Sequence, residues 1–392
     1  MEPAFRGLDC VDCGERLGSE TDARRCPDCE GPLAPRYDAD AVDVDAIRDA
    51  WPATDQWAFE SLLPQGRTEA VSIGEGATPL VPCPGLADEL GVGRILVKDE
   101  GQNPTGTVAD RELSAAISAA AARGATDVAL PSTGTDAVAA AAYAARAGLD
   151  AHAFVPTRST HGAKAMINVH GGDMTVVEGR LPDAIEAYES SAEADWTPVA
   201  AGDAPSRIAG AGTCLLEVLA ALDWETPDAV VYPVGHGVGI VGADVVTDVL
   251  QEVGLLEEPV ALCAAQAAGC APIVEAVTDG LVHVSQWDAP DTIAGAIEVP
   301  DPALGDRALE AVESTDGAAV AVDDESILES ACVLAASEGV QASVAGGAAA
   351  AGAWDLAQDG AFGADDTVVL VNTGAGSLDS DLLRSHLMRA GV

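Results

Sequence analysis

Glu100-Gly-Gln-Asn-Pro-Thr-Gly-Thr-Val-Ala-Asp-Arg-Glu-Leu113 lies between a strand-like apolar run, Arg94 to Lys98, and an alanine-rich stretch of helical character. Its Asn103-Pro104-Thr105-Gly106 is a turn: proline presets its own φ, glycine reaches positive φ without steric cost, and asparagine bonds its own backbone. A helix starts directly behind that turn, so the stretch reads as strand, loop and helix in immediate succession.

The same alternation repeats outward. Asp127 to Leu130 reads as a strand, Pro131-Ser-Thr-Gly-Thr-Asp136 as a polar loop, and the alanines up to Ala147 as a helix. Ala151 to Val155, His161 to His170 and Gly171 to Gly179 continue the pattern. Ala229 to Val234 is an apolar run of the kind buried on both faces of a parallel sheet, and it enters Gly235-His-Gly-Val-Gly239 and another helix. Strand, glycine loop and helix start together expose backbone N–H groups, with the positive end of the helix dipole, to an anion. Ser132 and Thr133 suit such an anion and suit equally the capping of a helix. His236 is either a titratable donor to a bound anion or an incidental loop residue. Alternation without an internal repeat predicts an α/β protein with largely parallel sheet.

The chain has 392 residues, 64 of them acidic and 19 basic, for a net charge of −45. That field repels nucleic acid and anionic membrane surfaces, and neither is expected as a partner. No apolar run approaches the roughly 18 residues of a membrane helix, and the N-terminus lacks a basic segment followed by an apolar one. Acid spread along the whole chain, with only two lysines, Lys98 and Lys164, resembles haloarchaeal cytoplasmic proteins. Unfolding by self-repulsion in low salt is the expected consequence.

Of nine cysteines, four form two CxxC pairs, Cys10/Cys13 and Cys26/Cys29, twelve residues apart. Two such knuckles present four thiolates to a tetrahedral ion, and four protein ligands leave no open position, so the spacing predicts structural zinc. The scattered remainder argues against a disulfide framework and for a reducing compartment.

Several of these motifs together resemble the threonine synthase family of pyridoxal-phosphate (PLP) enzymes. Residues 103–112 are similar to that family's NPTGSFKDRG, in which the lysine binds the cofactor. Pro104, Thr105, Gly106, Asp110 and Arg111 match, whereas Ala109 replaces the lysine, Val108 the phenylalanine and Glu112 the glycine. Ile73 to Leu80 resembles GEGxTPL, Gln266 to Ala276 QxxGCxPIxxA, and Asp291 to Gly295 part of TIAxGI. Ser132, Thr133, Gly134 and Thr135 resemble the start of STGNT, which in the family holds the substrate carboxylate and contacts the cofactor's phenolic oxygen. Thr135 replaces the asparagine. Gly235, His236, Gly237 and Gly239 resemble PVGNGGN, the cofactor-phosphate loop, with Val238 at a glycine position. Thr373 matches a hydroxyl residue facing the pyridine nitrogen; capping a turn is its alternative role.

The resemblance implies a PLP fold type II protein with two α/β domains and mostly parallel sheets behind a zinc ribbon. The expected divisions are residues 1–38 for the ribbon, 39–72 for a helical linker, 73–108 with 209–392 for the large domain, and 109–208 for the small one. The family's aldehyde cofactor is held as an imine on an amine that then shuttles protons, and the alanine at 109 can do neither. PLP is expected, if at all, only without a covalent bond. The expected role is a non-catalytic binding or regulatory protein for a small anion or amino acid. The alternatives are an active lyase converting O-phosphohomoserine to threonine and phosphate, or a partner subunit, as a homodimer or with an active paralogue.

Overall fold

The computed structural model describes residues 4–390; the outermost positions of the expected ribbon and large domain fall outside them. The chain forms two compact units. One takes Met1–Ala77, Ala109–Trp224 and Val241–Glu258, the other Thr78–Val108, Glu225–Ile240 and Pro259–Val392.

The first unit begins with the ribbon, an antiparallel sheet in which Phe5–Cys10 runs between Arg16–Gly18 and Leu33–Tyr37. Leu8, Cys10, Cys26 and Leu33 are nearly its whole core. Gly7, at φ +134°, is obligatory, because a Cβ there would lie 1.9 Å from the Leu17 carbonyl oxygen. The linker holds one six-residue helix, Val44–Asp49, and a 3-10 segment, Gln56–Leu62. It docks through buried Trp57, whose Nε1 donates to Glu75 Oε1 at 2.7 Å. Behind it lies a four-stranded parallel sheet in the order Asp173–Val177, Asp150–Pro156, Asp127–Pro131, Thr197–Pro198.

The expected return to the large domain at residue 209 falls within helix Ser206–Ala221. That helix lies against helix Ala109–Ala122, so closely that a Cβ on Gly210 would come within 2.3 Å of the Arg111 carbonyl oxygen. Arg111 donates from Nη1 to Glu217 Oε1 at 2.8 Å and from Nη2 to Oε2 at 2.7 Å, with neither side chain exposed. Charges removed from water need such bidentate closure, and here it fixes residues 206–224 to the first unit. Gly242 holds Val241–Glu258 there as well, since its Cβ would sit 2.6 Å from the Ile208 carbonyl oxygen.

The second unit is built on a six-stranded sheet in the order Ala319–Val322, Ala261–Ala267, Ala229–Pro233, Thr367–Asn372, Arg94–Asp99, Leu80–Pro82. The first five strands are parallel and Leu80–Pro82 is antiparallel. Helix Val344–Gln358, almost wholly alanine and glycine on its buried side, approaches this sheet closely; a Cβ on Gly352 would lie 2.9 Å from that of Ala265. Among the described residues no helix is long and apolar enough to cross a membrane.

Candidate functional site

In the ribbon, all four sulfurs of Cys10, Cys13, Cys26 and Cys29 lie within 4.8 Å of one another. The closest approaches are 3.5 Å between Cys10 and Cys29 and 3.6 Å between Cys13 and Cys26. Four thiolates around a zinc ion at ~2.3 Å stand roughly 3.8 Å apart, so the cluster fits that ion. None of the nine cysteines is disulfide-bonded.

In the second unit, loop 103–108 leaves the carboxyl end of strand Arg94–Asp99. Gly106, at φ +80°, closes its turn by donating to the Asn103 carbonyl at 2.8 Å. Asn103 Nδ2 donates to Glu100 Oε2 at 2.6 Å, and Thr78 Oγ1 donates to Glu100 Oε1 at 2.6 Å. The loop is stitched to the end of the neighbouring strand: Ala375 N donates to Gly106 O at 2.8 Å and Val108 N to Thr373 O at 2.9 Å. The backbone frame that carries position 109 is therefore intact.

Position 109 itself departs from the motif. Ala109 opens helix Ala109–Ala122, 2% exposed, inside an apolar cluster with Leu113, Ala137, Ala163 and Ala204. Lys98 points elsewhere, its Nζ donating to the Thr78 carbonyl at 2.7 Å with Glu100 Oε1 at 4.0 Å. Lys164 Nζ donates to the Thr157 carbonyl at 2.8 Å. A cofactor held as an imine needs a primary amine where Ala109 presents a methyl group, so the residues present do not fit a covalently attached PLP.

Gly235, His236, Gly237 and Gly239 follow strand Ala229–Pro233, and Thr373 follows Thr367–Asn372. These strands are neighbours, with Val231 beside Leu370, so both loops leave the carboxyl edge of adjacent parallel strands. Ligands of open α/β sheets gather at such edges. Gly237, at φ +92°, is also needed for packing, because its Cβ would lie 3.1 Å from the Leu304 carbonyl oxygen. Val238 starts helix Val238–Glu252 with its side chain 5% exposed. The position expected to be glycine is thus filled by a buried isopropyl group.

In the first unit, Ser132 acts as a cap, its Oγ accepting from Gly134 N at 3.0 Å and Ala137 N at 3.2 Å. Thr133 is held through its carbonyl, which accepts from Ser159 Oγ at 2.7 Å. Gly134 has φ +142°, and Thr135 opens helix Thr135–Ala147 half-buried. Sequence reasoning missed three charged residues here. Arg207 binds Glu112 and Asp136, the latter standing where STGNT ends in threonine. Burial pushes the Glu112 carboxyl up to about 7; the charge of Asp136 adds to this while Arg207 opposes it. The only signal for this group was the pair of acidic departures from two family motifs. Glu75 is a fully buried carboxylate accepting from Trp57, Ser72, Ser114 and Tyr143.

Residues 71–374 match the family described as pyridoxal-phosphate dependent enzyme. A threonine synthase of Methanosarcina acetivorans is 31% identical over 368 residues, covering 94% of this chain and 91% of that one. One of Methanocaldococcus jannaschii is 31% identical over 378 residues, covering 95% and 93%. Among solved structures, a fungal L-serine ammonia-lyase from Rhizomucor miehei superposes with a TM-score of 0.70 at 22% identity, over 80% of this chain and 98% of that one. From the loops to the length of these matches, the chain belongs to the pyridoxal-phosphate-dependent enzyme family, as a threonine synthase-like protein of fold type II.

Proposed function

We propose that this protein has abandoned imine chemistry and serves as a non-catalytic binding or regulatory protein for a small anion or amino acid. The observation that carries the reading is Ala109, an apolar, buried residue at the one position where the family's motif supplies an amine. Lys98 and Lys164 lie outside the motif, and their ammonium groups donate to the backbone carbonyls of Thr78 and Thr157. Val238 supports the reading too, since a side chain at a cradle glycine opposes close approach of backbone to phosphate. Any PLP on this chain is held without a covalent bond. The acid spread along the chain supports concentrated salt as its working condition, and withdrawal of salt is expected to lower the melting temperature.

The competing reading is an active lyase acting on O-phosphohomoserine. It is favoured by the similarity to threonine synthases along nearly the whole chain and by the intact frame of loop 103–108. Purified protein incubated with O-phosphohomoserine and PLP in concentrated salt decides between them. The proposal expects neither threonine nor phosphate; steady release of both would overturn it.

A further inference from the structure

Away from the loops described above, the second unit holds a cavity of about 310 Å³ between helices Pro84–Leu90, Asp324–Val333 and Val344–Gln358. None of the residues that line it belongs to loops 103–108, 235–239 or 373–376. Its floor is apolar: Leu86, Leu334 and Ala350 are core residues of this unit, and half-buried Trp354 packs against the same cluster. At Leu334 the second of these helices passes into a π-helical turn, Leu334–Glu338, a wider form frequent at functional sites. The rim is acidic, with exposed Glu89, Glu329 and Asp355 contributed one by each helix.

Nothing in the chain neutralises that rim. The three helices carry no lysine, arginine or histidine, and among the described residues none of the three carboxylates takes a hydrogen bond or an ion pair. Burial pushes the Asp355 carboxyl above its ordinary range, and the charges of Asp323 and Asp359 push the same way. Acid alone would not mark a site in a chain of charge −45; the indole and the apolar floor between these acids set them apart. An indole face attracts a cation through its quadrupole, and surrounding carboxylates strengthen the attraction. The side chains of the floor offer no acceptor to replace the water lost by a metal ion or by the three donors of a primary ammonium. A cation wrapped in methyl groups needs no such replacement.

We propose that this cavity binds a small quaternary ammonium compound, its cationic head on Trp354 and ringed by Glu89, Glu329 and Asp355. The volume lies at the lower end of ligand pockets, about 300 Å³, which limits the occupant to a small molecule. The proposal is independent of the binding function argued above, because that function concerns other loops.

The test is calorimetric titration of the full chain in concentrated potassium chloride with choline, its uncharged carbon isostere neohexanol, and butylammonium. The wild type is expected to bind choline at least about tenfold more tightly than neohexanol, and more tightly than butylammonium. Trp354→Leu is expected to weaken choline at least about fivefold. Glu329→Gln/Asp355→Asn is expected to bring choline down towards neohexanol and to leave neohexanol unchanged; at exposed positions, it carries the test if Trp354→Leu does not fold. A wild type that does not bind choline, or that binds neohexanol equally well, overturns the proposal. So does tighter binding of butylammonium, or a folded charge variant that binds choline as the wild type does.

Discussion

The ribbon and loop 103–108 both hold chemically specific positions on a tightly bonded backbone, and they compare differently with the motifs they resemble. In the ribbon every ligand atom is present and the sulfurs converge. In the loop, the turn, its glycine and its stitching to residues 373–375 persist, and the reactive nitrogen is missing. The difference lies in what each atom does for folding. In a module with so small a core, an ion on the four sulfurs would supply much of the stability, so loss of a ligand would be a loss of structure. A lysine amine adds nothing to the backbone hydrogen bonds around it, so an alanine leaves the frame standing.

That contrast can be broken most forcefully in the ribbon. Cys26→Ala, or a strong chelator, removes a binding energy on the order of 10 kcal/mol. Bound zinc falls to zero and residues 5–37 become protease-sensitive; a ribbon that stays protected without zinc would erase the contrast. Next in size is Arg111→Met, which leaves Glu217 buried without its bidentate partner. It costs about 3–5 kcal/mol in denaturant titration, and would show that the motif's arginine serves the fold of the first unit after the lysine has gone. Smaller still is Asn103→Ala, which strips one donor from the buried Glu100 carboxylate. It costs about 1–3 kcal/mol, measured as a shift of the denaturation midpoint, and a neutral result would mean that the loop frame is not held as described.

The remaining effect is one of pH. In the folded chain the Glu112 carboxyl is raised from its ordinary 4.5 to about 7, so the folded state holds the proton more tightly than the unfolded one. Its contribution is fully present below about 4.5, is lost as pH rises towards 7, and is flat above that. Glu112→Gln flattens the slope of stability against pH between those values.

Much of this was legible in the sequence because it is local. Cysteine spacing, the Asn-Pro-Thr-Gly turn and the strand–glycine–helix order each lie within a few residues. What escaped was long-range. Arg207 meets acids 71 and 95 residues away, and no periodicity records which buried charges pair. The close approach of helices Ser206–Ala221 and Ala109–Ala122 depends on Gly210, which a glycine in a helical pattern does not announce. At Ser132 the hydroxyl accepts from two backbone N–H groups, a bonding pattern that the residue type allows but does not dictate.

The most direct test of the central claim is an absorbance spectrum of the protein in concentrated salt with PLP, followed by borohydride and peptide mapping. The account predicts no imine band and no adduct on Lys98 or Lys164 in the wild type, and a band in Ala109→Lys whose adduct maps to position 109. A wild-type band trapped on Lys98 or Lys164 would contradict it.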